Sequence, residues 1–277
     1  MILSELIKAA LKEDMPTGDL TTESLALPPR FGKARVMAKQ DLILSGTAVF
    51  EQTVHLLEQQ SKIKWHFDDG SKVLKNQNIC TIQGDLIQIL KAERVALNFM
   101  QHLSGIATMT RSFVEKVIRY NTIILDTRKT TPGYREIEKR AVQHGGGKNH
   151  RMNLSQAILI KDNHIAVMGG ISKAVKRIRE NCDLPIEIEA GTLEEVNECV
   201  ILGANRILLD NMNNEMLKSA LDMIPDSIEV EASGNMTIDR VESVAELGVD
   251  FISVGALTHS APSADMSMLF DWHLSSN

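Results

Sequence analysis

From about residue 120 the chain becomes repetitive: six short apolar runs with polar ends, separated by helix-length amphipathic stretches. The apolar runs are Ile123–Leu125, Ala157–Ile160, Ile186–Ile188, Ile207–Leu209, Ile228–Val230 and Phe251–Val254. Helical segments separate them, at roughly 135–144, 171–181, 193–202, 214–223 and 238–247. Thr192 with Glu195 forms a capping box, and Gly203 and Gly248 stand where helix C-caps belong. Strand–helix alternation of this kind implies a parallel sheet. Six units favour a closed or nearly closed α/β barrel, and an open doubly wound sheet fits the same pattern.

Residues 1–105 are written differently. Leu3, Leu6, Ile7, Ala10 and Leu11 make a helical stripe. Strand-like pieces follow at Ala34–Ala38, Leu42–Leu44, Ile63–Phe67 and Ile79–Ile82, with a turn signal at Asp69-Gly70. A helical stretch then runs from about Leu86 to Leu103. This is an α+β pattern.

The ends of the six apolar runs carry the chemistry. Asp126-Thr127-Arg128-Lys129 follows the first, Lys161 the second, Glu189 the third, Asp210 the fourth, Glu231 with Ser233-Gly234 the fifth and Gly255 the last. In an α/β barrel the C-terminal strand ends ring one mouth, where active sites are built. Polar residues end strands in any α/β protein, so a single position says little. The ordering is more specific: cations on early strands, acids on middle strands and glycine turns on late ones.

Charge placement narrows the ligand. The 277-residue chain has a formal charge of −6, which argues against general nucleic-acid binding. Yet residues 126–161 hold eight Lys/Arg against three Asp/Glu. A compact basic island in an acidic protein fits a small anion better than a polymer. The three cysteines, Cys80, Cys182 and Cys199, show no C-x-x-C spacing and read as reduced thiols of a cytoplasmic protein. The N-terminus lacks the apolar core of a signal peptide, and no apolar run approaches the ~20 residues of a membrane span.

Other chemistries fail on spacing. Gly145-Gly146-Gly147-Lys148 is not a P-loop, because Val142 and Asn149 occupy the positions that need Gly and Ser/Thr. It reads as a turn that lets Asn149-His150-Arg151 reach a ligand, or as a plain helix-terminal loop. No zinc-ligand spacing exists. A loosely held Mg²⁺ needs only one or two carboxylates plus substrate phosphates, and Glu189 with Asp210 suit it. Ser233-Gly234-Asn235 and Val254-Gly255-Ala256 each follow a strand, as phosphate-cradling turns do.

Several stretches resemble the quinolinate phosphoribosyltransferases. They include Gly18-Asp19-Leu20-Thr21-Thr22, Glu93-Arg94-Val95-Ala96-Leu97-Asn98-Phe99, Asp126-Thr127-Arg128-Lys129-Thr130-Thr131-Pro132-Gly133, Asn149-His150-Arg151-Met152, Leu159-Ile160-Lys161-Asp162-Asn163-His164 and Glu231-Ala232-Ser233-Gly234. They keep the family's order and run almost end to end. The resemblance implies a type II phosphoribosyltransferase-like architecture: an N-terminal α/β sandwich (residues 1–105, joined by 265–277) and an incomplete, open α/β barrel (106–264). It implies a homodimer, or a higher assembly of dimers, in which the sandwich of one subunit covers the barrel mouth of the other.

The resemblance also assigns the site. Quinolinate binding falls on Thr127, Arg128, His150, Arg151 and Lys161, with Arg94 reaching across from a second copy. Phosphoribosyl pyrophosphate binding falls on Lys129, Lys161, Glu189 and Asp210, with Ser233, Gly234, Asn235, Val254, Gly255 and Ala256 at the phosphate turns. Mg²⁺ falls to Glu189, Asp210 and the substrate phosphates. The family shows Ser-Gly-Gly where this chain has Ser233-Gly234-Asn235. Asn is the residue after Gly that best accepts left-handed geometry, so the turn survives. A paralogous family associated with molybdenum transport shares the Gly-Asp-Leu-Thr-Thr start, but Lys161 and Thr130-Thr131 favour the quinolinate enzymes. A Schiff-base aldolase using Lys129 or Lys161, and a non-catalytic anion sensor, are the readings from other classes.

Overall fold

A computed structural model describes Leu3–Trp272. In chain order its strands are β1 (Phe31–Ala38), β2 (Leu42–Ile43), β3 (Lys62–Trp65), β4 (Lys72–Val73), β5 (Asn78–Asp85), β6 (Ile123–Leu125), β7 (Ile158–Ile160), β8 (Ile186–Ala190), β9 (Arg206–Asp210), β10 (Glu229–Ser233), β11 (Phe251–Ser253) and β12 (Met266–Asp271). The chain divides into two compact units. The described residues of Met1–Met109, Thr131–Gly146 and Ala261–Asn277 form the first; Thr110–Thr130 and Gly147–Ser260 form the second.

The first unit is built on a four-stranded sheet of order β12-β1-β5-β3. All three pairings are antiparallel, so the C-terminal β12 closes against β1 with Lys33 opposite Asp271 and Ala38 opposite Met266. One face of β1 buries Ala34, Val36 and Ala38 at two-residue spacing. These meet Ile82 of β5, Phe50 and Val54 of the helix Thr47–Leu57, and Ala92, Ala96 and Met100 of the long helix Leu86–Val117. The Val, Ile, Phe and Met side chains among them each contribute roughly 1.5–3 kcal/mol relative to exposure.

The long helix runs fourteen residues past the expected end at Leu103. Ser104-Gly105 looks like a stop signal and is not one. A Cβ at position 105 would lie 2.1 Å from the Pro262 carbonyl oxygen, so glycine there allows two backbones to approach.

The second unit holds six parallel strands in the order β6-β11-β10-β9-β8-β7. From β7 to β11 each strand lies beside its chain neighbour, and β11 returns to pair with β6. This cyclic order is that of an α/β barrel left open between β6 and β7, and it removes the doubly wound alternative. At the β6 edge Lys148 extends the sheet in parallel: its N–H donates to Ile124 O at 2.9 Å, and Asp126 N–H donates to Lys148 O at 3.1 Å. The connecting helices bury one stripe each, such as Ile171, Ala174 and Val175, or Leu217 and Ala220. The Thr192–Glu195 capping box forms as expected.

Candidate active site

The second unit carries every expected site residue except Arg94, which is exposed on the long helix of the first. Just past β6, Thr127 Oγ1 accepts the Lys129 N–H at 3.0 Å, which turns the chain sharply at Arg128. Thr258 Oγ1 donates to Lys129 O at 2.8 Å, tying this turn to the segment after β11. Gly255 packs closely beside it: a Cβ there would stand 3.1 Å from Lys129 Cδ and 3.2 Å from His259 Nε2, so both side chains would have to give by a few tenths of an ångström.

The Asn149-His150-Arg151 segment is fixed from three sides. Fully buried Asp126 accepts the His150 N–H at 2.8 Å. His150 Nδ1 accepts the Arg151 N–H at 2.7 Å. His150 Nε2 lies 3.3 Å from Glu187 and 3.5 Å from Glu231. The Arg151 side chain donates to Ala157 O at 2.9 Å. Burial, and then the nearby Arg128 guanidinium, push the Arg151 pKa down, while Glu187 pulls the other way.

Lys161 follows β7, and its Nζ donates to Glu189 Oε2 on β8 at 2.5 Å. On β9, Asp210 Oδ2 accepts from Asn211 Nδ2 at 2.7 Å. Asn211 then organises the turn after β10. Its N–H donates to Ser233 O at 3.0 Å, and its Oδ1 accepts from Asn235 Nδ2 at 3.3 Å. Asn235 takes φ +50 and Gly234 φ +88, so the departure from Ser-Gly-Gly keeps the left-handed turn. The turn at Gly255 is of another kind, with φ −64 leading into the short helix Ala256–His259.

Beneath these groups the interior is charged, and the sequence reading gave that layer no role. Glu187 and Glu231 are buried, and Arg206 spans from Glu229, at 2.7 Å, to Glu231, at 3.5 Å. Burial and then the Glu187 charge push Glu231 up to about 7, against the pull of His150, a Ser253 hydrogen bond and Arg206. Burial lowers His150, but the Glu187 hydrogen bond and the charges of Glu231 and Glu187 raise it overall. The sequence signal for this layer is the Ile-Glu-Ile-Glu alternation of β8, which puts Glu187 on the same face as Glu189.

Models of the quinolinate phosphoribosyl transferase N-terminal and C-terminal domains match residues 19–104 and 106–269. The chain belongs to the quinolinate phosphoribosyltransferase family. A Synechocystis relative named as a probable nicotinate-nucleotide pyrophosphorylase (carboxylating) is 40% identical over 97% of this chain and 92% of its own length. A mitochondrial quinolinate phosphoribosyltransferase (decarboxylating) of Nicotiana tabacum is 39% identical over 98% of this chain and 83% of its own. The nicotinate-nucleotide pyrophosphorylase structure from Francisella tularensis superposes with a TM-score of 0.93 at 37% identity, covering 98% of this chain and 96% of that one. The Ehrlichia chaffeensis structure gives 0.94 at 37% identity, with 98% and 99% covered. The family's open barrel is therefore the frame on which these side chains stand.

Proposed function

We propose that the chain joins quinolinate to the phosphoribosyl group of phosphoribosyl pyrophosphate, releasing pyrophosphate and carbon dioxide and forming nicotinate mononucleotide for NAD biosynthesis. The observation that carries this reading is the pairing of chemistries along one sheet edge. Arg128, Lys129, Arg151 and Lys161 stand at β6, β7 and the segment between them, and Glu189, Asp210 and the Gly234-Asn235 turn stand at β8, β9 and β10. The first set suits a dicarboxylate and the second a ribose bearing phosphates.

The reaction follows from charge. The pyridine nitrogen attacks C1′ of the ribose as pyrophosphate leaves, and the ring becomes a pyridinium. The positive nitrogen stabilises the electron pair left at C2 when the adjacent carboxylate departs as carbon dioxide, and C2 then takes a proton. The protein's tasks are to hold two mutually repelling anions in line and to neutralise the departing charge. In this reading Arg128 and Arg151 grip the carboxylates, with Thr127 and His150 shaping their pocket and Arg94 of a second copy completing it. Lys161 stands between the two substrates, and Lys129 faces the pyrophosphate. Glu189 and Asp210 hold ribose hydroxyls, and the turns 233–235 and 254–256 hold the 5′-phosphate.

Glu189 and Asp210 are hard oxygen donors of the kind Mg²⁺ takes. They belong to no group of three such ligands among the described residues, so the substrate phosphates must supply the rest. Bound there, Mg²⁺ would neutralise charge on the leaving pyrophosphate.

A homodimer accords with Leu20, Leu25 and Phe31 of the first unit, which are 74%, 62% and 71% exposed. Cytoplasmic placement accords with the free cysteines. Among the described residues no helix is long and apolar enough to cross a membrane.

Quinolinate labelled in one carboxyl at a time tests the chemistry. Label at the 2-carboxyl leaves as carbon dioxide and label at the 3-carboxyl stays in the mononucleotide. Retention of both labels overturns the reading.

A further inference from the structure

The interior of an α/β barrel is ordinarily filled by layers of branched apolar side chains. Here one layer is ionic. Glu187 and Glu231 are 8% and 0% exposed, and both reach the same imidazole nitrogen, Nε2 of His150. Arg206 holds Glu231 in turn. Its guanidinium sits 4.0 Å over the Phe251 ring, is anchored twice on Glu229, and extends Nη1 to Glu231. A cavity of about 350 Å³ opens beside His150, Arg151 and Arg206.

Such a layer does not explain itself by stability. Buried ionic groups cost desolvation, and apolar side chains of similar volume often serve the fold as well or better. Nor does it suit a metal ion. His150, Glu187 and Glu231 bring ligating atoms within 4.8 Å of one another, but Arg206 already supplies the positive charge a cation would bring.

The hydrogen bonds define another task. The Arg151 N–H donates to Nδ1, which leaves Nε2 as the protonated nitrogen, donating to Glu187 with Glu231 3.5 Å away. A second proton on Nδ1 would be favoured by the carboxylates, but only at the expense of the Arg151 bond. The ring therefore acts as a rigid strut between the buried acids and the Arg151 backbone. Resting on the quinolinate reading above, we propose that Glu187 and Glu231, braced by Arg206, are positioning residues that fix His150 and through it Arg151, and so set affinity for the pyridine dicarboxylate rather than the rate of transfer.

The test uses the full-length enzyme and the variants Glu187→Ala, Glu187→Gln, Glu231→Ala and Glu231→Gln. KM for each substrate and kcat are measured, alongside histidine ¹⁵N spectra. The Ala variants are expected to raise the quinolinate KM by about tenfold, with kcat and the phosphoribosyl pyrophosphate KM within about threefold. The Gln variants keep an acceptor for Nε2–H and recover most of that loss. His150 in the wild type gives the Nε2–H tautomer pattern, which becomes mixed in the Ala variants. Folded Ala variants with an unchanged quinolinate KM, or with both KM values raised alike, overturn the proposal. Where an Ala variant fails to fold, a wild-type His150 spectrum of any other protonation state overturns it equally. Absence of wild-type turnover would instead strike the function itself.

Discussion

Lys161, just past β7, donates a 2.5 Å hydrogen bond to Glu189 on β8, and the Lys161 side chain remains 44% exposed. An ion pair this open adds little to stability, about 0–1 kcal/mol. In the proposed function its value lies in placing an ammonium between two anionic substrates. Lys161→Met should leave the melting temperature within a few degrees and lower kcat/KM by on the order of a hundredfold, read by steady-state kinetics and thermal melts. A large loss of stability with normal turnover in the surviving enzyme would contradict this role.

Burial, and then the nearby Arg128 guanidinium, lower the Arg151 pKa, so the two side chains stand close enough to act on one anion. Arg128→Ala should raise the quinolinate KM by at least about tenfold, and Arg128→Lys should fail to restore it, because an ammonium cannot pair a carboxylate bidentately. Normal turnover at low quinolinate in either variant would remove Arg128 from the site.

The turn after β10 gives a paired prediction. At Gly234 a Cβ would stand 2.2 Å from Asn211 Oδ1 with φ at +88, so Gly234→Ala should cost more than roughly 1–3 kcal/mol of local strain. It should also weaken phosphoribosyl pyrophosphate binding. Asn235→Gly removes a residue that already sits at φ +50 and should change stability by less than about 1 kcal/mol. Chemical denaturation of both variants, with the substrate KM, checks the contrast.

The pH dependence of stability follows from Glu231. Its ordinary value is 4.5 and the folded value is about 7, so between those limits the folded state holds a proton that the unfolded state has lost. The stabilisation is complete below about 4.5 and disappears as pH rises through about 7. The melting temperature of Glu231→Gln relative to wild type should therefore increase from about pH 5 to about pH 8. A difference that stays flat, or falls, would mean that Glu231 is ionised in the fold throughout.

Much of the barrel is written in its own period. Ile186 and Ile188 of β8 alternate with Glu187 and Glu189, and Ile207-Leu208-Leu209 of β9 is a buried run ending at Asp210, so the acids proposed for the site mark the strand ends. What sequence could not supply is which strands meet as the barrel curls. Nothing in residues 123–125 says that β11 will return to pair with them, or that Lys148 will extend that edge. The helix Leu86–Val117 was legible only as far as Leu103, because the reason for Gly105 lies at Pro262, distant in sequence. The charged layer was missed for the same cause. Glu187, Arg206 and Glu231 look like ordinary strand polar residues until the sheet curls and brings them to His150.

The most direct test mixes the purified protein with phosphoribosyl pyrophosphate, Mg²⁺ and either quinolinate or nicotinate, following mononucleotide and carbon dioxide together. The account predicts both products from quinolinate in equal amounts, and neither from nicotinate, which lacks the carboxylate that must leave. Mononucleotide from nicotinate, or no product from quinolinate with a folded protein, would contradict it.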